Sequence, residues 1–147
     1  MKIWINNRQR KITVRLERVR RRAGKILNAL GWGKAELSLT LVSDRSMARL
    51  NRETFGRRGP TNVIAFPLHS PDDPQGPPPL LGEVVISLET TARQAQESGW
   101  TFVDLFDFFL IHGILHLLDY DHDTPEKAQA MDAKTWELMG VLRGGGG

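Results

Sequence analysis

Apolar and polar positions follow two periods along the chain, and the switches between them mark its elements. "KIWIN" at 2–6 alternates and predicts a short strand. In "VRLERVRRRAGKILNALG", Val14, Leu16, Val19, Ala23, Ile26, Leu27 and Leu30 recur at helical spacing before Gly31, so a helix is expected there, carrying the arginines from Arg15 to Arg22. "AELSLTLVS" sends Leu37, Leu39 and Leu41 to one face of a half-buried strand. Asp44 is placed to cap the helix that follows through Met47, Leu50 and Asn51. "NVIAF" and "GEVVISL" read as two further strands.

Between those strands "PLHSPDDPQGPPPLL" reads as a mobile extended loop, because its prolines suit neither helix nor sheet. A helix is expected from Ser87 or Leu88 to Gly99. Thr101 with Asp104 resembles a capping box opening an apolar helix, and Thr124 with Pro125 opens the last one. Residues 1–142 form one domain in this reading, and the glycine-rich end at 143–147 is a disordered tail.

Composition narrows the chemistry. At 147 residues with 40% hydrophobic and 25% charged, the chain is one soluble domain large enough for a core. It has no cysteine, which excludes disulfides, thiolate metal sites and a cysteine nucleophile. The start "MKIWINNRQRK" has no signal-peptide core, and the most apolar stretch, 102–118, is broken by Asp104, Asp107, His112 and His116. A cytoplasmic address and no membrane partner are expected. The net charge of +3 conceals a partition: residues 1–60 hold 16 Lys/Arg against 4 Asp/Glu, and residues 61–147 hold 4 against 13. A basic half either pairs with the acidic half of the same fold or offers a polyanion surface, since arginine forks suit phosphate oxygens.

Three of the four histidines fall in "HGILHLLDYDH" at 112–122. His112 and His116 are four apart on one helix, which puts their Cβ atoms roughly 5 to 6 Å apart on one face. "LDYDH" then supplies a short non-helical return with His122 at its end. Three imidazoles without a fourth protein ligand leave a coordination position for water, the catalytic rather than the structural arrangement of zinc. Such an ion lowers the pKa of its water towards about 7 and polarises a phosphoryl oxygen, so no catalytic side chain is assigned beyond the metal-bound water. His69, in the proline-rich loop, reads as an isolated surface residue. The spacing matches the outer skeleton of the metzincin motif, but Gly113 stands where those proteases carry the glutamate base.

"HGILHLLDYDH" also resembles the H-G-x-L-H-L-x-G-Y-D-H signature of the YbeY family, bacterial metal-dependent endoribonucleases implicated in ribosomal RNA maturation. "LN" at 50–51, "GPTNVIAFP" at 59–67 and "LLGEVVIS" at 80–87 extend the likeness over about residues 36–142. The resemblance implies an α+β domain, a mixed, mostly parallel four-stranded sheet flanked by helices, with the metal site at the end of a central helix. It implies one zinc on His112, His116 and His122, and precursor ribosomal RNA as substrate. Ribosomal subunit proteins are implied as partners, DNA is not, and the cut strand is single. Asp119 stands where the signature has glycine, in a turn that needs a left-handed backbone. Phe55 stands where many members carry an arginine, which leaves Arg52, Arg57 and Arg58 to hold the phosphate. Asp121, beside the third ligand, is either a turn residue or a partner that orients a histidine. A metzincin-like metalloprotease and a non-catalytic ribosome-associated RNA-binding protein with structural zinc are the competing readings.

Overall fold

The computed structural model describes residues 2–68 and 80–144. Its elements are β1 (Lys2–Asn7), α1 (Leu16–Ala29), β2 (Glu36–Val42), α2 (Asp44–Phe55), β3 (Val63–Pro67), β4 (Leu80–Ser87), α3 (Leu88–Ser98), α4 (Phe102–Leu117) and α5 (Pro125–Gly144). The strands form one sheet in the order β1-β2-β4-β3, in which β1, β2 and β4 are parallel and β3 is an antiparallel edge. This is the α+β, mostly parallel arrangement expected from the sequence.

The alternation in β2 decides which helices lie where. Leu37, Leu39 and Leu41 face one side with Val84 and Ile86 of β4, and the inner surfaces of α1, α4 and α5 cover them through Ile26, Leu27, Leu110, Ile114, Leu138 and Leu142. Among the described residues the other side meets α2, where Met47 packs on Val42, Ile64 and Val85. Gly82 marks a register shift between β2 and β4. A Cβ there would collide with the Phe66 carbonyl oxygen and come within 2.8 Å of Leu117, so glycine lets β3 and the end of α4 close over the strand.

Three details differ from the expectation. Ser43, not Asp44, caps α2, its hydroxyl accepting from the Ser46 N–H at 3.3 Å. Asp44 is the first helical residue, and its carboxylate accepts from Ser87 Oγ, Thr90 Oγ1 and Arg93 Nη1, tying the starts of α2 and α3 together. Burial alone would raise its pKa, but the hydrogen bonds from Thr90, Arg93 and Ser87 outweigh it and hold the carboxyl below the usual range. Helix α5 reaches Gly144, two residues into the stretch read as a disordered tail. The proline-rich loop from Ser70 to Pro79, with His69 and residues 145–147, lies outside the described residues. Among the described residues no single helix is long and apolar enough to cross a membrane.

Much of the charge partition is resolved inside the fold. Asp107 of α4 is 3% exposed and takes two hydrogen bonds from the Arg18 guanidinium, at 3.0 and 3.3 Å. Arg22 Nε lies 3.8 Å from the same carboxylate, and its Nη1 donates to the Leu142 carbonyl of the last turn of α5 at 2.6 Å. Burial raises the Asp107 pKa in spite of these cations, so its charge is held at a cost. The three helices are therefore joined at one ionic node. Asp107→Ala strands two largely buried guanidinium groups and is expected to cost about 3–5 kcal/mol in urea unfolding, whereas adding Arg18→Met and Arg22→Met to Asp107→Leu should recover most of that loss. A single-variant loss under about 1 kcal/mol would remove the node from the fold's energetics.

Candidate metal centre

Helix α4 is buried around most of its circumference. Thr101 Oγ1 accepts from the Asp104 N–H at 3.1 Å to start it, and Leu105, Phe106, Phe109, Leu110, Ile111, Ile114, Leu115 and Leu117 are all withdrawn from solvent. Its rotation is set at Gly113. A Cβ there would lie 2.5 Å from Val84 Cγ1 and 3.2 Å from Val63 Cγ2, so the helix backbone rides directly on the sheet at that position. Phe108, His112 and His116, each four residues apart, form the stripe that is only partly buried. The same contact explains the missing glutamate: position 113 faces β3 and β4, where no carboxylate side chain has room, and the metalloprotease reading loses its base on steric grounds as well.

The chain returns through one strained residue. After the last turn, Asp119 takes φ 71°, the one non-glycine residue with positive φ among the described residues. Its N–H reaches the His116 carbonyl at 3.2 Å, and the Tyr120 N–H reaches that of Leu115 at 3.0 Å. Asp121 then accepts from the His122 N–H at 2.7 Å, a turn role that also holds its carboxyl below the usual range. The result swings the His122 ring back to 6.0 Å from the His112 ring and 6.1 Å from that of His116, between centroids.

Two imidazoles on one zinc have centroids about 5 to 6 Å apart, given zinc–nitrogen bonds of about 2.0–2.1 Å. The His122 ring stands at or just beyond the wide end of that range from both His112 and His116. Among the described residues no trio of His, Cys, Asp or Glu is already closed into a metal-holding geometry. On α5, Asp132 Oδ1 lies 3.6 Å from His122 Nε2. The donor chemistry nevertheless fits an ion. His112 Nε2 is buried without any hydrogen-bond partner. Burial first, and then the charges of His116 and His122, push the His112 pKa down to about 4. Burial also lowers that of His116, opposed by the Asp121 charge and a backbone hydrogen bond at Tyr120. Neutral imidazole is the form that binds a metal, so His112, His116 and His122 are the residues that could hold one.

The arginines expected from the sequence to hold phosphate make no contact with this centre among the described residues. Arg52, Arg57 and Arg58 are exposed, and among the described residues no hydrogen bond or ion pair joins them to the histidines. Arg52 lies in the last turn of α2, and the loop that carries Arg57 and Arg58 is anchored, since buried Asn51 donates to the Gly59 carbonyl at 2.9 Å and the Ser87 N–H reaches the Asn62 carbonyl at 3.0 Å. The Arg57 guanidinium lies 5.5 Å over the Phe55 ring, beside the position of the family's arginine. Sequence reasoning passed over Asp132 and Phe108. Asp132 gave no local signal, because it reaches His122 only when α5 folds back, whereas Phe108 was legible as the next residue in the i, i+4 stripe.

Two expected outcomes follow from this geometry. The folded His112 pKa lies below the ordinary 6.5, so in metal-free protein the unfolded chain binds more protons between about pH 6.5 and 4. Stability should therefore be full above pH 6.5 and fall by on the order of 1 to 2 kcal/mol as the pH drops to 4, a value discounted for the ring's remaining solvent contact. Denaturant titrations against His112→Gln isolate that share, and identical pH slopes would refute it. Asp119→Gly should keep or raise thermal stability, by up to about 1 kcal/mol, because glycine adopts the left-handed backbone without strain. A lower melting temperature would mean that the carboxylate has a task of its own.

Comparison with known proteins accords with the motif and the fold. The family model described as Endoribonuclease YbeY matches residues 4–143. An endoribonuclease YbeY of Geobacter sulfurreducens is 40% identical over 99% of this chain and 99% of its own, and that of Geobacter metallireducens is 41% identical over 97% and 96%. The solution structure of a Thermotoga maritima protein superposes with a TM-score of 0.63 at 27% identity, covering 98% of this chain and 93% of that one. With a central helix that turns its histidines away from the sheet, and with likeness along nearly its whole length, the chain belongs to the YbeY endoribonuclease family.

Proposed function

We propose that this chain is a zinc-dependent endoribonuclease that cuts single-stranded RNA during ribosomal RNA processing and ribosome maturation in the cytoplasm, among ribosomal subunit proteins. The observation that carries this reading is the partly buried, neutral His112, whose Nε2 is withdrawn from solvent without a partner, beside His116 and His122, in a chain of an endoribonuclease family. One zinc would sit on these three rings. When bound it supplies Lewis acidity towards a phosphoryl oxygen and an acidified water. The chain's own residues do the positioning. The rings contribute no negative charge, which keeps the ion's positive field available to a phosphate. Arg52 at the end of α2, with Arg57 and Arg58 in the anchored loop after it, supplies cations that hold phosphates of the strand and offset charge that grows as the phosphodiester is attacked.

Purified protein should contain close to one zinc per chain by elemental analysis, and His116→Ala should lose the zinc and the RNA cleavage while keeping RNA affinity within a few-fold. Arg57→Ala with Arg58→Ala should instead weaken RNA binding. Its slope of log affinity against log salt should flatten by about 1.4, two phosphate contacts at about 0.7 each for a single strand. A His116→Ala protein with unchanged zinc and unchanged cleavage overturns the site. Wild-type protein that binds zinc and RNA but never cuts would make the metal structural.

A further inference from the structure

The histidine stripe does not end at His112. One turn earlier on α4 stands Phe108, its ring centroid 4.4 Å from that of His112. Trp100, from the link between α3 and α4, meets Phe108 edge-on at 5.5 Å, and Trp136 of α5 lies 5.9 Å from Phe108 and 6.1 Å from Trp100. Three aromatic rings thus form one cluster that abuts the histidines. Its outermost member is not a core residue: Trp136 is 54% exposed. Trp136 also sits four residues after Asp132 on one face of α5, and Asp132 is the residue against His122. The cluster therefore borders the centre from two sides, at His112 through Phe108 and at His122 through α5.

Resting on the reading of the chain as a ribonuclease, we propose that Trp136, backed by Trp100 and Phe108, is a stacking platform for one unpaired nucleobase next to the phosphate that is cut. Charge decides between base and phosphate as the occupant. The surface of α5 around Trp136 carries Asp132 and Glu137, and the nearby Lys134 is tied to Glu137 at 2.6 Å. A phosphate would be repelled there, whereas a base offers a neutral π-face, and stacking on an exposed aromatic tolerates any base identity. The phosphates are then left to the arginine loop, and the two surfaces divide the strand between them. The platform is also a reason for preferring unpaired RNA, because a base held in a duplex cannot leave its neighbours to lie on Trp136.

The test uses the full-length, zinc-loaded chain and a 12-nucleotide single-stranded RNA, together with a set in which each nucleotide in turn is abasic. Wild-type protein should bind one or two of the abasic strands five- to tenfold more weakly than the intact one, as expected for loss of one stacked base. Trp136→Ala should bind the intact strand about that much more weakly and no longer distinguish those abasic strands, while Trp136→Phe should restore the distinction. Because Trp136 is exposed, the alanine variant should melt within a few degrees of wild type, and a Trp136→Leu protein gives a second apolar replacement. If Trp136→Ala keeps wild-type affinity and the wild-type abasic pattern, the platform is refuted while the ribonuclease reading stands. If Trp136→Ala abolishes a wild-type self-association in sedimentation without changing RNA affinity, the patch serves a second copy of the chain and the proposal is overturned. If wild-type protein neither binds nor cuts any of the strands, the ribonuclease reading itself fails and takes the platform with it.

Discussion

The contact on which the site depends is the one that has no side chain. At Gly113 the backbone of α4 lies against Val84 and Val63, closer than any β-carbon allows. A helix held that tightly to a sheet cannot rotate. Turning it by one residue would bring His112 to the sheet and bury an imidazole among valines and leucines, where neither ring nitrogen finds a partner. Gly113 therefore does more than stand in place of a protease's glutamate. It sets the angular position of Phe108, His112 and His116, and with them the direction in which the whole centre opens.

Electrostatics acts at two depths. At the buried level, Arg18 and Arg22 of α1 converge on Asp107, and Arg22 also donates to the Leu142 carbonyl in the last turn of α5, so the three helices over the sheet share one charged node. That node absorbs part of the basic half of the chain. The α1 helix that carries the most arginines is thereby the less available surface for a polyanion: Arg20 too turns inward, to the Ile3 carbonyl, leaving Arg15 and Arg21 exposed. At the outer level, Arg52 at the end of α2 and Arg57 and Arg58 in the loop after it are exposed and have no carboxylate partner among the described residues.

Several motif residues prove to be construction rather than chemistry. Asn51, within "LN", spends its amide on the Gly59 carbonyl and fixes the path of the basic loop. Asn62, within "GPTN", caps the start of β3 with its own side chain at 2.7 Å and reaches Gln94 of α3 at 3.2 Å. Gly82, within "LLGEVV", admits β3 and Leu117. Asp119 carries the left-handed turn at the position where the signature has glycine, and short polar residues tolerate that backbone best after glycine itself.

How much of this was legible in the linear chain follows from the range of each interaction. The elements were, because alternation in "ELSLTLV" and the three-four spacing in α1 are local patterns that water and backbone geometry enforce wherever they occur. The candidate ligands His112, His116 and His122 were legible too, since a helical turn and a short return fix their neighbourhood within eleven residues. Asp44 reads as a cap in the linear chain because Ser43 competes for that role locally, while the partners of Asp44 lie more than 40 residues away, at the end of β4 and the start of α3. The same limit hid the contact of Asp132 with His122, the pairing of Asp107 with arginines 89 and 85 positions earlier, and the meeting of Trp100, Phe108 and Trp136. The sequence by itself determined which residues could share a helix face or a strand face. Only the tertiary structure decided which faces meet, because that choice rests on whether α4 can approach the sheet as closely as a bare glycine backbone permits.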